Sequence, residues 1–280
     1  LASEALARRG RTRTALRAFD TAASHVEGVT QHLDVDYDRV RFREQRMAPY
    51  DGALLALLAA QGGAAPGELL AWSARRKAAA LRLTLGRREG GVGVPVVGAE
   101  LSVPHLQLDE REVLLDYNIV DEFLFVLVVS PPAGIEVVPL EIPADSVRWL
   151  ADRLRKPFTT VYAGSVDLAR FRYPETAARA LYQAIVAPVL PAIHGAERLL
   201  IAPDGPLHRI SFAALVSDDV HGETEPAVSG EQGIRYLLDE FEITYVPSAG
   251  AAGDSDRSGW KRVDTSRSAA VVVGDAPGTR

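Results

Sequence analysis

The hydrophobic pattern changes its period about one third of the way along this 280-residue chain. Over residues 1–85, apolar residues recur three or four positions apart, which is the period of an amphipathic helix. Beyond residue 112, Val, Leu, Ile, Phe and Tyr instead gather in short runs separated by turn residues, which is typical of strands. Both patterns in one chain predict an α/β fold in which a helical segment comes first.

The helical segment is predicted over residues 1–88. Its helices are expected at 1–30, 34–46, 50–60 and 68–85. Gln61–Gly67 holds three glycines and a proline, so the last two helices form an antiparallel pair. One such pair suggests the end of a tetratricopeptide-like array, although any helical hairpin has this pattern. The Gly-rich stretch Arg87–Gly98 is then a linker.

A second region, residues 99–196, is predicted to begin with a small antiparallel meander. Its three strands are Val113–Val120, Glu122–Val129 and Ile135–Ile142, with tight turns between them. A helix follows, which Pro157 is expected to stop because proline lacks the amide that continues a helix. The next helix starts at Pro174-Glu175 and is broken by later prolines.

The third region, residues 197–280, is predicted to hold a buried and mostly parallel sheet. The expected strands are short and almost uniformly apolar: Arg198–Ala202, Phe241–Val246 and Ala269–Val273. The polar stretches Asp218–Gly233 and Gly250–Thr265 are expected to be surface loops.

Composition excludes several classes of function. With no cysteine in the chain, disulfides, thiolate metal sites and a cysteine nucleophile within it are impossible, and a cytoplasmic location is favoured. The net charge of −6 argues against nucleic acid as a partner. The longest apolar runs, 53–60 and 123–129, are far too short to span a membrane. The six histidines show no metal-ligand spacing, so no metal or other cofactor is expected.

The two parts of the chain differ in charge. Residues 1–90 carry 15 basic and 10 acidic side chains, whereas the remainder carries 16 basic and 27 acidic ones. A basic helical segment can dock an acidic protein partner, and it can equally be an ordinary solvated surface.

Several stretches of residues 50–280 together resemble the CHAT family, the bacterial caspase-like domains that often follow tetratricopeptide repeats. The matching motifs are Pro203–His208 (PDGPLH), Phe212–Leu215 (FAAL), Tyr236–Leu238 (YLL), Tyr245–Ala249 (YVPSA) and Val271–Asp275 (VVVGD). The Leu114–Tyr117 strand and the helical pair before it also resemble what precedes the core in that family. One departure is Ser211, where the family usually has proline.

The resemblance implies the front half of a caspase-like α/β sandwich and a cysteine peptidase that cleaves proteins by a His–Cys dyad. The family's two reacting residues lie in later strands, so no catalytic residue can be assigned here, and the core is expected to be truncated at Arg280. The implied setting is regulated proteolysis of the defence or cell-death type, with the helices sensing a protein partner. The alternative is a non-catalytic scaffold in which a pseudoprotease serves only protein–protein interaction.

Three residues near the first core strand are candidates for lining a substrate pocket: Asp204, His208 and Arg209. They follow the carboxyl end of a strand, which is the edge where open α/β sheets bind ligands. The competing interpretation is structural, with Asp204 capping its turn and His208 bonded within it. Ser248 is predicted to be a helix N-cap rather than a nucleophile. The tryptophans Trp72, Trp149 and Trp260 are expected to be core or interface anchors.

Overall fold

The computed structural model describes residues 12–30, 47–60, 65–85, 106, 108–131, 133–162, 172–217 and 234–254. Its helices are α1 (Thr12–Thr30), α2 (Ala48–Leu58), α3 (Pro66–Leu85), α4 (Ala144–Tyr162), α5 (Glu175–Ile185) and α6 (Ala249–Asp254). Its strands are β1 (Glu112–Val120), β2 (Phe123–Ser130), β3 (Gly134–Leu140), β4 (Arg198–Ala202) and β5 (Glu242–Tyr245). The predicted helix 34–46, the linker 87–98 and the strand 269–273 lie outside the described residues.

The five strands form one mixed sheet in the order β3-β2-β1-β4-β5. The meander of β1, β2 and β3 is antiparallel, as predicted. It is not a separate small sheet, because β1 also pairs with β4 in parallel, with Leu114 opposite Leu200. β5 continues the sheet in parallel on the other side of β4. The expectation of two distinct sheets is therefore wrong, and the single sheet is half antiparallel in its strand pairs.

Helices cover both faces of this sheet, which explains why β1 is apolar almost throughout. On one face, Leu115 and Tyr117 pack with α4 and α5 in the larger core. On the other face, Leu114 and Val120 pack with α2 and α3, together with Leu200 of β4. The helical hairpin α2–α3 thus shares a hydrophobic core with the sheet, and the described residues form a helix–sheet–helix sandwich.

Two predicted boundaries are wrong. α4 continues through Pro157 to Tyr162 instead of stopping. The proline removes the amide that would bond to the carbonyl of Arg153, which lies on an exposed stretch where water can replace it. Residues 249–254, expected to begin a loop, form α6, whose Ala249 and Ala252 are buried against the sheet.

Other boundaries are confirmed. β4 spans Arg198–Ala202 as predicted, and α5 starts directly after Pro174. A 3₁₀ helix, Ala187–Ile193, follows α5 at the predicted breaks. No single helix among the described residues is long and apolar enough to cross a membrane. Only α5 and this 3₁₀ helix taken together, as a bent pair, reach the required length and hydropathy.

The outer helix α1 packs on the hairpin through Phe19, which is buried. The ring lies so close to Gly52 of α2 that a Cβ there would be 2.6 Å from its Cζ. We therefore expect Gly52→Ala to destabilise the chain by about 1–3 kcal/mol through overpacking, although alanine is the better helix former. Gly28→Ala, in a position with open space around it, is the matched control and should be neutral or stabilising by up to about 1 kcal/mol. Urea unfolding compares them, and equal midpoints for both variants would show that Phe19 does not dock there.

Candidate functional site at the carboxyl edge of the sheet

Three parallel strands end at the same edge of the sheet. β1 ends at Val120, β4 at Ala202 and β5 at Tyr245. A tight turn through Asp121 follows β1, with Asp121 in the left-handed conformation that aspartate tolerates better than most residues. The turn after β4 contains the motif Pro203–His208, and α6 begins soon after β5. This is the edge at which open α/β sheets place their ligands.

Asp204 fastens the turn after β4 to the end of β1. Its Oδ1 accepts a hydrogen bond from the Gly205 amide at 2.9 Å, which caps a short 3₁₀ helix. Its Oδ2 accepts from the Ile119 amide, also at 2.9 Å, and from Arg76 Nη1 at 2.6 Å. The predicted capping of the turn by Asp204 is confirmed, and the same carboxylate is also tied to α3.

Arg76 of α3 is the centre of a largely buried ion cluster. Its guanidinium donates to Asp204 and, through Nε, to Asp51 Oδ1 at 2.7 Å. Its Nη2 donates to the Ile119 carbonyl at 3.0 Å. One side chain therefore connects α2, the end of β1 and the turn after β4. Donation to three separate acceptors from one planar group is a geometry that arginine provides and lysine does not.

A second polar cluster lies deeper, between α3 and β1. Lys77 Nζ contacts Asp116 Oδ1 and donates to the Ala202 carbonyl at the end of β4, at 2.8 Å. Ser73 lies one helical turn before Lys77, and its Oγ is 2.7 Å from both Asp116 Oδ2 and Asn118 Oδ1. All four side chains are buried. Because buried polar groups need partners, this cluster fixes how α3 sits on the sheet.

Burial and charge act in opposite directions on the carboxylates. Burial raises the pKa of Asp116, and Lys77 and Ser73 offset this only in part. Burial alone would also raise the pKa of Asp204, yet Arg76, Lys77 and the Ile119 amide together hold it below its ordinary value. Burial opposes the charge of Arg76, but Asp204 and Asp51 outweigh it and raise the pKa of the guanidinium. Asp204 and Arg76 are therefore a charged pair at neutral pH.

These two clusters hold parts of the backbone in place rather than react with a substrate. Asp204 accepts hydrogen bonds from Gly205, Ile119 and Arg76, and Asp116 is fully buried, so the contacts of both carboxylates are structural ones. What the arrangement does is hold the turn after β4 and the end of β1 at fixed places relative to α3. A substrate lying along this edge would contact backbone that these side-chain contacts hold in place.

The three predicted pocket residues do not share one pocket wall. Asp204 faces α3 and is largely buried by Arg76. Arg209, at the end of the same turn, points toward the opposite side of the sheet, where its Nη1 lies 3.0 Å from Asp152 Oδ1 of α4. His208 between them is exposed. His208 and Arg209 stay candidates for contact with a ligand, whereas the role of Asp204 in the structure is that of a brace.

Ser248 takes the predicted role of a helix N-cap. The Ser248 Oγ accepts a weak hydrogen bond from the Ala251 amide at 3.4 Å, at the start of α6, as an N-cap does. Among the described residues, no group of three or more His, Asp or Glu side chains could hold a metal ion.

The sequence interpretation missed Arg76, Lys77, Ser73, Asp116 and Asn118. A signal was present, because Asp116 and Asn118 alternate within the otherwise apolar strand Val113–Val120 and so point to one face. A buried carboxylate needs a counter-charge, and Lys77 is one of only three lysines in the chain.

A scan against protein families finds one match, the CHAT domain, over residues 175–280. Among curated proteins, none matches the chain. The matched range includes α5, β4, the turn with Asp204, β5 and α6. Two partners of Asp204, Arg76 and the Ile119 amide, lie before this range.

Proposed function

We propose that the chain is part of a cysteine peptidase that cleaves proteins, because residues 175–280 match the CHAT domain, a family of caspase-like peptidases. The observation that carries the proposal is the family match over β4, its turn and β5, which are the strands that end at the candidate site. The setting that we propose is regulated proteolysis of the defence or cell-death type, in the cytoplasm. The helices α1–α3 would be the end of a tetratricopeptide-like segment that senses a protein partner.

In the proposed mechanism, a thiolate attacks the peptide carbonyl, a histidine moves the proton, and backbone amides stabilise the oxyanion. The 280 residues contain no cysteine, so we place the thiol outside them. The described residues supply the wall of the site, because the Arg76–Asp204 and Lys77–Ala202 contacts hold the ends of β1 and β4 in place. Such rigidity matters, since small displacements of positioned groups reduce rates steeply.

The absence of cysteine equally supports a second function, that of a non-catalytic scaffold with a caspase-like fold. In that case the fold would present surfaces for protein–protein interaction, and the helical segment would remain the sensing part. The two proposals differ in whether the whole gene product hydrolyses peptide bonds.

The test compares the 280-residue chain with the complete gene product in a panel of fluorogenic peptides and unfolded protein substrates. We expect the 280-residue chain to release product no faster than buffer, because it lacks a thiol. The complete product should cleave, and replacing its nucleophilic cysteine by alanine should abolish cleavage. Hydrolysis by the 280-residue chain would overturn the cysteine mechanism. A complete product with no His–Cys dyad and no cleavage would establish the scaffold instead.

A further inference from the structure

The outward face of α4 carries an aromatic residue at a position where the helical pattern calls for a polar one. Val147, Ala151 and Leu154 form the buried side of the helix. Trp149 lies on the opposite side, and 58 % of its surface is exposed, so of the two roles expected for it, core anchor and interface anchor, the first is wrong. An exposed indole offers a ligand a large apolar surface with a polar N–H, and tryptophan is enriched in protein interfaces for that reason.

One cation lies against the Trp149 ring, and other basic side chains follow on the same helix. The guanidinium of Arg153, one turn further along α4, lies 5.2 Å from the ring centroid. The helix carries four basic side chains, Arg148, Arg153, Arg155 and Lys156, against two carboxylates. Both carboxylates are engaged: Asp145 binds Arg148 at 2.7 Å and Asp152 binds Arg209. Counted over α4 and Arg209 as the structure describes them, basic side chains therefore outnumber carboxylates by five to two.

This face is continuous with the carboxyl edge of the sheet. Arg209 stands at the end of the turn after β4, and its partner Asp152 lies between Trp149 and Arg153 on α4. A polypeptide leaving the edge of the sheet past His208 and Arg209 would therefore run onto Trp149.

We propose that Trp149 and Arg153, with Arg155 and Lys156, form a docking surface for an acidic segment of the protein substrate. A side chain with an aromatic or aliphatic end would lie on the Trp149 ring, and flanking carboxylates would bind the arginines. Tryptophan and arginine are the residues most often found to dominate binding energy in interfaces. Only the identification of the ligand as a substrate rests on the proposed function.

The test measures binding to the 280-residue chain and needs no hydrolysis. The probe is a fluorescein-labelled peptide with one Phe flanked on both sides by Glu, followed by fluorescence anisotropy. We expect saturable binding that weakens with added salt, and no binding of the matched peptide with Lys in place of Glu. Trp149→Ala and Arg153→Glu should each weaken binding by about tenfold or more.

Phe123→Ala is the matched control, since Phe123 is similarly exposed, at 63 %, but is the first residue of β2 rather than part of α4. It should leave the affinity unchanged. Thermal unfolding verifies that each variant is folded, and Arg153→Lys, which keeps the charge, should retain most of the binding. Equal affinity of the wild-type chain and Trp149→Ala, or no binding of the acidic peptide, would overturn the proposal.

Two other ligands with the same charge are tested in parallel. Residues 218–233 contain five carboxylates and no Lys or Arg, so the chain has an acidic segment of its own. If the peptide binds only after those carboxylates are changed to amides, the surface serves that segment and the proposal fails. It also fails if a single-stranded RNA binds more tightly than the peptide. Binding of the peptide without cleavage by the complete gene product would leave the docking surface intact and refute the peptidase function alone.

Discussion

Replacing Lys77 by Met is expected to destabilise the chain by about 3–5 kcal/mol at neutral pH. The ammonium of Lys77 is the only charged partner among the described contacts of Asp116, which is fully buried. Removing one member of a buried ion pair leaves the other uncompensated, and this costs far more than the pair contributes. The Ala202 carbonyl would also lose a donor. Urea unfolding at pH 7 measures the effect.

The Lys77→Met variant should depend on pH in a definite direction. Burial already raises the pKa of Asp116, and the loss of Lys77 raises it further. An acid whose pKa is higher in the folded state binds more protons there, so stability falls as the pH rises. The destabilisation should therefore be smaller at pH 5 than at pH 8.

The double variant K77M/D116L is the control for Lys77→Met. It removes both charges, and Ser73 can still donate to Asn118. Replacing a buried ion pair by apolar residues is often neutral, so most of the lost stability should return. A double variant no more stable than Lys77→Met would show that the cost arises from packing rather than from an unpaired carboxylate.

Replacing Arg76 by Gln is expected to have a similarly large effect, about 3–5 kcal/mol at neutral pH. It leaves Asp204 and Asp51 without their guanidinium and removes a donor to the Ile119 carbonyl. The neighbouring Arg75 is a matched control, because it also binds two carboxylates, yet one of them, Asp20, is 61 % exposed. Arg75→Gln should cost only about 1 kcal/mol. Equal losses of stability for the two variants would contradict the conclusion that Arg76 holds the end of β1 and the turn after β4 in place.

At acid pH, the free energies of unfolding of the wild type and of Arg76→Gln should differ less than they do at pH 7. In the wild type, the pKa of Asp204 is depressed, so the stability that it contributes is present above about pH 4 and is lost as the pH falls further. In the variant, burial acts on Asp204 without Arg76, its pKa rises, and protonation relieves the penalty. The free energies of unfolding of the two proteins, measured from pH 7 to about pH 3, should therefore approach each other as the pH falls. A difference that stays constant over this range would contradict the prediction.

Local patterns predicted the elements well. The apolar runs and turn residues of 113–142 predicted the meander, and the apolar run at 198–202 predicted β4 with its bounds. The family resemblance, drawn from motifs such as Pro203–His208, agrees with the match over residues 175–280. These features depend on residues close together in the chain, where period and turn chemistry are informative.

The assembly of the elements was not predictable in the same way. That β1 belongs to the same sheet as β4 depends on a pairing between residues about 86 positions apart, which no local pattern contains. The helical hairpin was expected in a separate region, but α3 presents Ser73 and Lys77 to Asp116 across the sheet face. Pro157 was misjudged because the one hydrogen bond that it removes belongs to the Arg153 carbonyl, which lies on an exposed stretch where water can replace the lost donor.

The central claim is that the hairpin α2–α3 is an integral layer of the CHAT-containing fold and braces its carboxyl edge. Amide hydrogen exchange in increasing denaturant tests it most directly, by comparing the opening free energies of α3, β1 and β4. If the claim is right, the slowest amides of all three elements exchange through one cooperative opening with the same free energy. Exchange of α3 at a distinctly lower free energy, while β1 and β4 stay protected, would contradict it.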